Sequence, residues 1–229
     1  MIDISQEGLD KKKKEYELDV IVRKLMIHAG LCDDLGLEYG KTGFVIFFYK
    51  YFRHKGNPVI ELFAKELLND LLTCIKIYEY DYRQFLIGIA LGINYLSQNS
   101  FIEIDDETMR GFDNQIMEYQ IYNNSIDNGS KGAAYYILSR YKKKNSILTD
   151  QYVRKIAELF QKNEFNNSNT IFINNQITYL LNGINAAPFD LITELLNNND
   201  NAEINHLGIT NGLAGLGLNL MNRIEIETL

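Results

Sequence analysis

The most constraining feature of this chain is a pair of glycines, separated by two residues, that recurs just ahead of apolar runs. Measured on the second glycine, the spacing is 45 residues from Gly43 to Gly88, 44 residues on to Gly132 and 83 residues on to Gly215. A period in this range is typical of repeat architectures with one supersecondary unit per repeat. Because the last interval is close to two periods, a further degenerate copy is expected near Gln176. The copies are Gly40-Lys41-Thr42-Gly43, the reduced Gly88-Ile89-Ala90-Leu91-Gly92, Gly129-Ser130-Lys131-Gly132 and Gly212-Leu213-Ala214-Gly215.

Length, charge and cysteine usage narrow the class of protein. The 229 residues, 46% of them hydrophobic, are enough for one domain spanning 1–229 with a substantial core. A net charge of −7 argues against nucleic-acid binding, which needs clustered basic charge. Cys32 and Cys74 are too few for a disulfide framework and indicate a reducing compartment. Because the chain has no long uninterrupted apolar run, and no signal-peptide core follows the lysines at 11–14, we expect a cytoplasmic protein without a membrane span.

Helix signals fill the intervals between the glycine pairs. Asn57-Pro58 suits a helix start, since proline at the first helical position loses no needed donor. Asp105 and Thr149 are expected N-caps, each followed by apolar positions at helical spacing. The segment 170–173 resembles a strand, but the repeat period favours a helix there. Five pairs of an outer and an inner helix are predicted, at 11–31 with 40–53, 58–77 with 84–97, 105–120 with 129–141, 149–163 with 171–184, and 187–198 with 211–222.

The predicted fold class is therefore all-α, with each glycine pair at the start of an inner helix. Inner helices such as the one containing 44–48 are apolar nearly all round and should be buried between neighbours. Glycine there tolerates the turn into the helix and lets neighbouring backbones approach closely. A second explanation is that the amides of several helix N-termini converge on a cavity, where they favour anionic or carbonyl groups. The structural glycines are Gly40, Gly43, Gly88, Gly129, Gly132, Gly212 and Gly215.

Two stretches of the chain are similar to repeats of a known family. They are Gly36-Leu37-Glu38-Tyr39-Gly40-Lys41-Thr42-Gly43 and Thr210-Asn211-Gly212-Leu213-Ala214-Gly215-Leu216-Gly217-Leu218, and they resemble the lanthionine synthetase C-like (LanC-like) family of peptide cyclases. The resemblance implies an α/α toroid, in which outer helices ring the inner ones. Full-length family members have more helical pairs in a closed double ring, so about five hairpins imply a shortened or open toroid. Its unpaired apolar edges favour a homodimer, because such faces are costly in water.

The resemblance also implies a catalytic zinc, held by cysteine and histidine, that converts a substrate thiol to the nucleophilic thiolate. One ligand pair in the family is an adjacent Cys-His just before a glycine pair. The corresponding residues here are Asp127-Asn128 and Thr210-Asn211, and the chain contains no Cys-His dipeptide. No catalytic residue or zinc ligand can be carried over, so we expect no metal and no other cofactor.

Two other kinds of catalytic centre have weaker support. His28 and Cys32 are four residues apart on a predicted helix, but zinc needs three or four ligands and the other histidines and Cys74 are distant in sequence. Asp105 and Asp106 could be the paired carboxylates of a glycoside hydrolase. Helix capping and the helix dipole account for them more simply.

The starts of the inner helices supply the candidate cavity residues. Their mixed polarity suits recognition of a peptide better than it suits any evident reaction. The candidates are Glu38, Tyr39, Lys41, Asp127, Asn128, Lys131, Thr210 and Asn211.

From these features we predict a LanC-like protein of a bacterial peptide-modification pathway. It is expected to bind a precursor peptide, alongside a modification enzyme or exporter, without zinc-dependent cyclase activity. One alternative is an active lanthionine-type cyclase with a non-standard site. Another is a carbohydrate-active α/α-toroid enzyme, which would need an acidic cluster lining its cavity.

Overall fold

The computed structural model describes residues 6–77, 81–141, 143, 145–163, 168–197 and 206–226. Within these ranges the chain forms ten α-helices and a short 3-10 helix at Asp81–Phe85, which confirms the all-α prediction. None of these helices is both long and apolar enough to cross a bilayer. The helices are α1 Gln6–Ala29, α2 Lys41–Lys55, α3 Pro58–Ile77, α4 Leu86–Gln98, α5 Asp106–Glu118, α6 Ser130–Arg140, α7 Asp150–Asn163, α8 Ser168–Leu181, α9 Leu191–Asn197 and α10 Leu213–Ile226.

The helix starts follow the capping signals of the sequence. The Asp105 side chain accepts a hydrogen bond from the Thr108 amide at 2.7 Å, so it caps α5 as predicted. The Tyr152 amide donates to the Thr149 hydroxyl at 3.2 Å ahead of α7. Residues 170–173 lie inside α8, which confirms the helical interpretation of that segment.

The glycine repeat keeps a constant position at the helix starts. Gly43, Gly88, Gly132 and Gly215 are each the third residue of their helix. The third residue of α8 is Thr170, which lies six residues before Gln176, so the position expected for the degenerate copy was wrong. Gln176 instead lies within α8, and its side-chain oxygen accepts a hydrogen bond from the Ala187 amide at 2.6 Å.

The chain divides into two compact units, Met1–Lys76 with Leu195–Leu229 and Ile77–Glu194. In the first unit, α10 packs against α1 and α2, so the last helix of the chain lies beside the first two. Its close packing depends on Gly217, where an added Cβ would lie 2.5 Å from the Phe47 ring. The Phe47 ring meets Phe48 edge-on at a centroid distance of 5.3 Å.

In the second unit the helices predicted to be inner, α4, α6 and α8, lie side by side. α6 packs against α4 and α8, while α5 packs against α4 and α7 packs against α6 and α8. Residues 86–96 of α4 are all buried, and so are nearly all residues of α6. This burial confirms that these predicted inner helices are enclosed by neighbours.

α8 departs from the expectation that inner helices are buried all round. Ile171 is 51% exposed, Phe172 46% and Tyr179 42%. These residues lie on one face of the helix, because positions separated by one, seven and eight residues fall within about a third of a helical turn. The second unit therefore presents an apolar and aromatic helix face to solvent.

Candidate functional site

Each complete glycine copy is preceded by the same folded loop, which we call the loop module. In each module the amide of the second glycine donates to a carbonyl seven residues earlier, and so does the amide of the first helical residue. These bonds close the loop back on the helix start and satisfy amides that have no partner within the helix. The amides of the second glycines, with their acceptors, are Gly43 to Gly36 at 3.4 Å, Gly132 to Ser125 at 3.2 Å and Gly215 to Gly208 at 3.2 Å.

A side chain at the same place in each loop module completes the turn. Asp34 accepts a hydrogen bond from the Gly36 amide at 2.7 Å. Asn123 accepts from the Ser125 amide at 2.9 Å, and the His206 ring nitrogen Nδ1 accepts from the Gly208 amide at 3.3 Å. Three different residue types therefore do the same structural work nine residues before the second glycine, where sequence comparison finds no repeat.

Close approach explains the glycines of the loop modules. A Cβ at Gly132 would lie 1.9 Å from the Ile126 carbonyl oxygen, and one at Gly43 would lie 2.4 Å from that of Leu37. The first glycines are not needed for an unusual backbone, because Gly40 has φ −116° and Gly129 has φ −115°, values that any residue adopts. The expectation that glycine eases the turn is therefore wrong for these two positions.

In the first unit the structure brings four of the candidates together. The Glu38 carbonyl accepts hydrogen bonds from the amides of Ile209 at 2.8 Å and Thr210 at 3.3 Å, which joins the first loop module to the last. The Tyr39 ring stands edge-on to the His206 ring at a centroid distance of 4.8 Å. Asn211, next to Thr210, has the left-handed φ of 53°.

The remaining candidate of the first unit, Lys41, is 6% exposed and forms an ion pair with Asp70 of α3. Thr210 is 8% exposed, and its hydroxyl has no hydrogen-bond partner among the described residues. Lys41 therefore ties α2 to α3, and it is not presented to a ligand.

The candidates of the second unit also serve the packing of helix starts. The Asp127 carbonyl accepts hydrogen bonds from the amides of Ile87 at 3.0 Å and Gly88 at 3.1 Å, and this joins the α6 loop module to the start of α4. The Asn128 side-chain oxygen accepts from the Ser125 hydroxyl at 2.5 Å. Lys131 is half-buried in the first turn of α6.

The positions that correspond to the zinc ligands of the resembled family do not fit a zinc ion. Zinc prefers thiolate, imidazole and carboxylate ligands, whereas Asn128, Thr210 and Asn211 offer amide and hydroxyl groups. Asp127 does carry a carboxylate, but this group packs closely against Gly88. A Cβ added at Gly88 would lie 1.9 Å from the Asp127 Oδ1 atom. Across the described residues, no three His, Cys, Asp or Glu side chains form a group that could hold a metal.

Cys32 and His28 likewise gain no ligand set from the fold. The Cys32 thiol is half-buried and lies 3.6 Å from the Asp34 carbonyl oxygen, to which it donates. Burial is the main cause that raises the pKa of this thiol.

Two cavities open at the other ends of the inner helices of the second unit. The larger has a volume of about 430 Å³ and the smaller about 190 Å³, and both are lined by Gln98, Ser139 and Phe189. We call them the Gln98 cavities. Gln98 is the last residue of α4 and Ser139 is next to last in α6. None of the eight sequence candidates lines either cavity.

A network of hydrogen bonds forms the wall that the Gln98 cavities share. The Gln98 side-chain nitrogen donates to the Ser139 carbonyl at 2.8 Å and to the Asn94 side-chain oxygen at 3.3 Å. The Asn94 nitrogen donates to the Ser139 hydroxyl at 3.1 Å, and that hydroxyl donates to the Tyr136 carbonyl at 3.0 Å. Asn94 is 5% exposed and Ser139 8%, so these polar groups are buried and need each other as partners.

A buried ion pair anchors the same end of α6. Asp113 of α5 is fully buried and accepts from Arg140 Nη2 at 3.2 Å, from the Tyr136 hydroxyl at 2.7 Å and from the Ile147 amide at 3.1 Å. The Arg140 guanidinium also donates to the Asn145 carbonyl at 3.2 Å. Burial and the neighbouring Asp113 carboxylate raise the pKa of Tyr136. The charge of Arg140 is therefore compensated within the protein.

Sequence reasoning missed the Gln98 cavities, although one signal points to them. Asn94 interrupts an otherwise apolar run at 86–96, and Ser139 with Arg140 interrupts the run that begins at Ala133. Polar residues on buried helices need partners, and here the neighbouring helices α4 and α6 supply them to each other.

Comparison of the chain with protein-family models, with curated proteins and with solved structures found no match. What can be argued about function therefore comes from the residues and their arrangement.

Proposed function

We propose that this chain is a LanC-like protein, a shortened α/α toroid, that binds a peptide in a bacterial peptide-modification pathway and lacks zinc-dependent cyclase activity. The observation that carries the proposal is the loop module, which occurs three times with the same backbone hydrogen bonds at the starts of α2, α6 and α10. A common bonding pattern at spaced helix starts is what a helical-hairpin repeat requires.

The packing of the first unit supports a ring. α10 packs against α1 and α2, and the Glu38 carbonyl binds the loop module that precedes α10. A chain of helical hairpins that closes on itself must bring its last inner helix beside its first.

The exposed face of α8 supports peptide binding. Ile171, Phe172 and Tyr179 offer apolar and aromatic surface, and Asn175 and Thr178 on the same face offer hydrogen-bonding groups. Such a mixture suits a peptide that has both apolar side chains and a polar backbone.

The lack of cyclase activity rests on the residues at the family's ligand positions. Asn128 and Asn211 stand directly before a glycine pair, where the family has a histidine, and a carboxamide neither binds zinc as imidazole does nor deprotonates a thiol. The loop module retains its structural role without the metal centre.

The peptide proposal is tested with the full chain and fluorescent precursor peptides encoded next to its gene. Fluorescence anisotropy should show saturable binding of one of them, and Phe172→Ala should weaken it by about fivefold or more. Tyr122→Ala, at an exposed residue in the loop before α6, is the matched control and should leave the affinity unchanged. Absence of saturable binding to every neighbouring peptide would refute the proposal.

The catalytic part is tested separately with the dehydrated form of the bound peptide. Free thiols are counted after incubation with the protein, with and without added zinc. We expect the thiol count to stay constant. Loss of thiol in step with protein concentration would establish a cyclase with a non-standard site.

A further inference from the structure

We propose that the larger of the Gln98 cavities is a binding site for an alkylammonium group, as carried by a lysine side chain or a peptide N-terminus. The site lies at the helix ends opposite the loop modules, and it does not depend on the peptide-binding proposal.

The hydrogen-bond network of the wall presents an acceptor to the cavity. The carbonyl oxygen of Ser139 can only accept, so the Gln98 amide atom 2.8 Å away must be the nitrogen. Its two protons are used on Ser139 and Asn94. The Gln98 side-chain oxygen is left with no donor among the residues that the structure describes, and Gln98 is exposed where it lines both cavities. A ligand bound to it must bring a donor.

Three helix ends meet at the larger cavity. It is lined by Gln98 at the end of α4, by Leu138 and Ser139 at the end of α6, and by Leu180 at the end of α8. The C-terminus of a helix carries a partial negative charge of about half an elementary charge, from carbonyl groups without helical partners. Together these ends favour a positive group.

The loop that closes the larger cavity uses three of its amides within the protein and keeps those of Asn185, Ala186 and Phe189. The amides of Gly183, Ile184 and Ala187 donate to acceptors within the protein, and Pro188 has no amide proton. The Tyr141 hydroxyl, also in the lining, donates to Asp150. The acceptors of the lining are the Gln98 side-chain oxygen and the carbonyls of the helix ends, and its remaining donors are the loop amides, the Asn185 side chain and Lys143.

Of the charges near the larger cavity, that of Lys143 opposes a bound cation. Arg140 is paired with the buried Asp113, so its charge is compensated. Among the residues that the structure describes, Lys143 is the cationic one in the lining of the larger cavity, and it is exposed. The aromatic residues Tyr141 and Phe189 line the cavity, and an ammonium group is attracted to the face of an aromatic ring.

The smaller cavity is less suited to this ligand. It is lined by Asp190 and Leu191 at the start of α9. Asp190 already accepts hydrogen bonds from the Ile192 amide at 3.2 Å and from the Thr193 hydroxyl at 2.7 Å. Its carboxylate serves the helix start, and among the described residues no second carboxylate lines either of the Gln98 cavities to make the pair that glycoside hydrolysis needs.

The test is isothermal titration of the full chain with four small probes. N-acetyl-lysine methylamide carries a side-chain ammonium and glycinamide carries an α-ammonium, while N-acetyl-norleucine methylamide is neutral and acetate is an anion. At least one ammonium probe should bind about tenfold more tightly than the neutral probe, and acetate should not bind. The tighter of the two ammonium probes identifies the source of the group. Equal affinity for lysine and norleucine probes, or preference for acetate, would overturn the proposal.

Two variants connect binding to this cavity. Gln98→Leu removes the acceptor and should weaken the ammonium probe by about fivefold or more, whereas Gln151→Leu, at an exposed residue of α7, should have no effect. Lys143→Gln removes a like charge and should strengthen ammonium binding by about threefold without changing the affinity for the neutral probe. Because Lys143 is exposed, this variant should fold even if Gln98→Leu does not. Unchanged ammonium affinity in Lys143→Gln would place the ligand elsewhere.

Discussion

The two ends of α4 and α6 differ in how much room their side chains leave. At the N-terminal ends the backbones are in contact, since Asp127 accepts hydrogen bonds from Ile87 and Gly88 and a Cβ at Gly88 would overlap the Asp127 carboxylate. At the C-terminal ends the same two helices are joined through the side chains of Asn94, Gln98 and Ser139, beside a cavity of about 430 Å³. Backbone contact needs glycine and leaves no space, whereas side-chain contact leaves a cavity with polar walls. The glycine pair therefore marks a backbone contact between helix starts, and the cavity lies at the C-terminal ends of α4 and α6.

The largest loss of stability should come from adding a side chain where the α6 loop module contacts the start of α6. In Gly132→Ala the new Cβ would lie 1.9 Å from the Ile126 carbonyl oxygen and 2.7 Å from its carbon, both of them backbone atoms that cannot move independently. We expect a loss of more than about 3 kcal/mol in the free energy of unfolding, or failure to fold. Urea denaturation followed by circular dichroism measures it.

Gly111→Ala is the matched control, because an added Cβ at Gly111 in α5 has no heavy atom within 4 Å. Alanine is the better residue within a helix, so this variant should gain about 0.5–1 kcal/mol. Equal stability of the two variants would show that the backbone around Gly132 can accommodate a methyl group.

The next largest effect should come from the anchor of the α6 C-terminal end. Asp113→Ala leaves the buried Arg140 guanidinium without its carboxylate and should cost about 3–5 kcal/mol in the free energy of unfolding. Tyr136→Phe removes one hydrogen bond to the same carboxylate and should cost about 1 kcal/mol. If both variants lose the same amount by thermal denaturation, Arg140 finds another partner and the anchor is not specific.

A smaller effect is expected from the cavity wall itself. Asn94→Leu keeps a similar volume but removes one acceptor from Gln98 and one donor to Ser139, so it should cost about 1–3 kcal/mol. Asn99→Leu, at the half-buried residue just after α4, is the comparison variant and should cost less. If Asn94→Leu leaves the free energy of unfolding unchanged in chemical denaturation, water replaces the lost hydrogen bonds. The polar network would then add no stability at the C-terminal ends of α4 and α6.

The smallest effect concerns alkaline pH at Tyr141, which lines the larger cavity. Burial, followed by the hydrogen bond to Asp150, raises the pKa of this phenol from 10.0 to about 12. Since the folded pKa is raised, the stabilisation by Tyr141 is fully present below pH 10 and is lost between pH 10 and about 12. Tyr141→Phe should lose less stability than the parent protein over that interval in denaturation curves. A parallel decline of both proteins would show that Tyr141 ionises like an exposed tyrosine.

Much of the helical organisation could be predicted because its signals are local. The caps at Asp105 and Thr149, Pro58 at the first residue of α3, and glycine at the third residue of four helices all act within one turn of the chain. The position expected near Gln176 was wrong because α8 starts at Ser168 and the spacing of helix starts is not constant along the chain. A period predicts the existence of a helix better than it predicts its first residue.

The candidate site could not be predicted in the same way. Glu38, Tyr39, Asp127 and Asn128 were expected to face a cavity because they precede helix N-termini, and the structure shows them bonded to neighbouring backbone and side chains. Whether a polar residue at a helix start meets a ligand or a neighbouring loop depends on residues dozens of positions away. Those contacts carry no local signal.

By itself the sequence determined the all-helical class, several helix starts and the places where glycine is required, because helical periodicity, capping and steric freedom are properties of short segments. The tertiary structure alone decided that Asn94 meets Ser139, 45 residues further on, that Asp113 meets Arg140, and that a cavity of about 430 Å³ remains beside them. The physical reason is that a buried polar group is stable only with a partner, and packing between helices decides which partner lies within hydrogen-bonding distance.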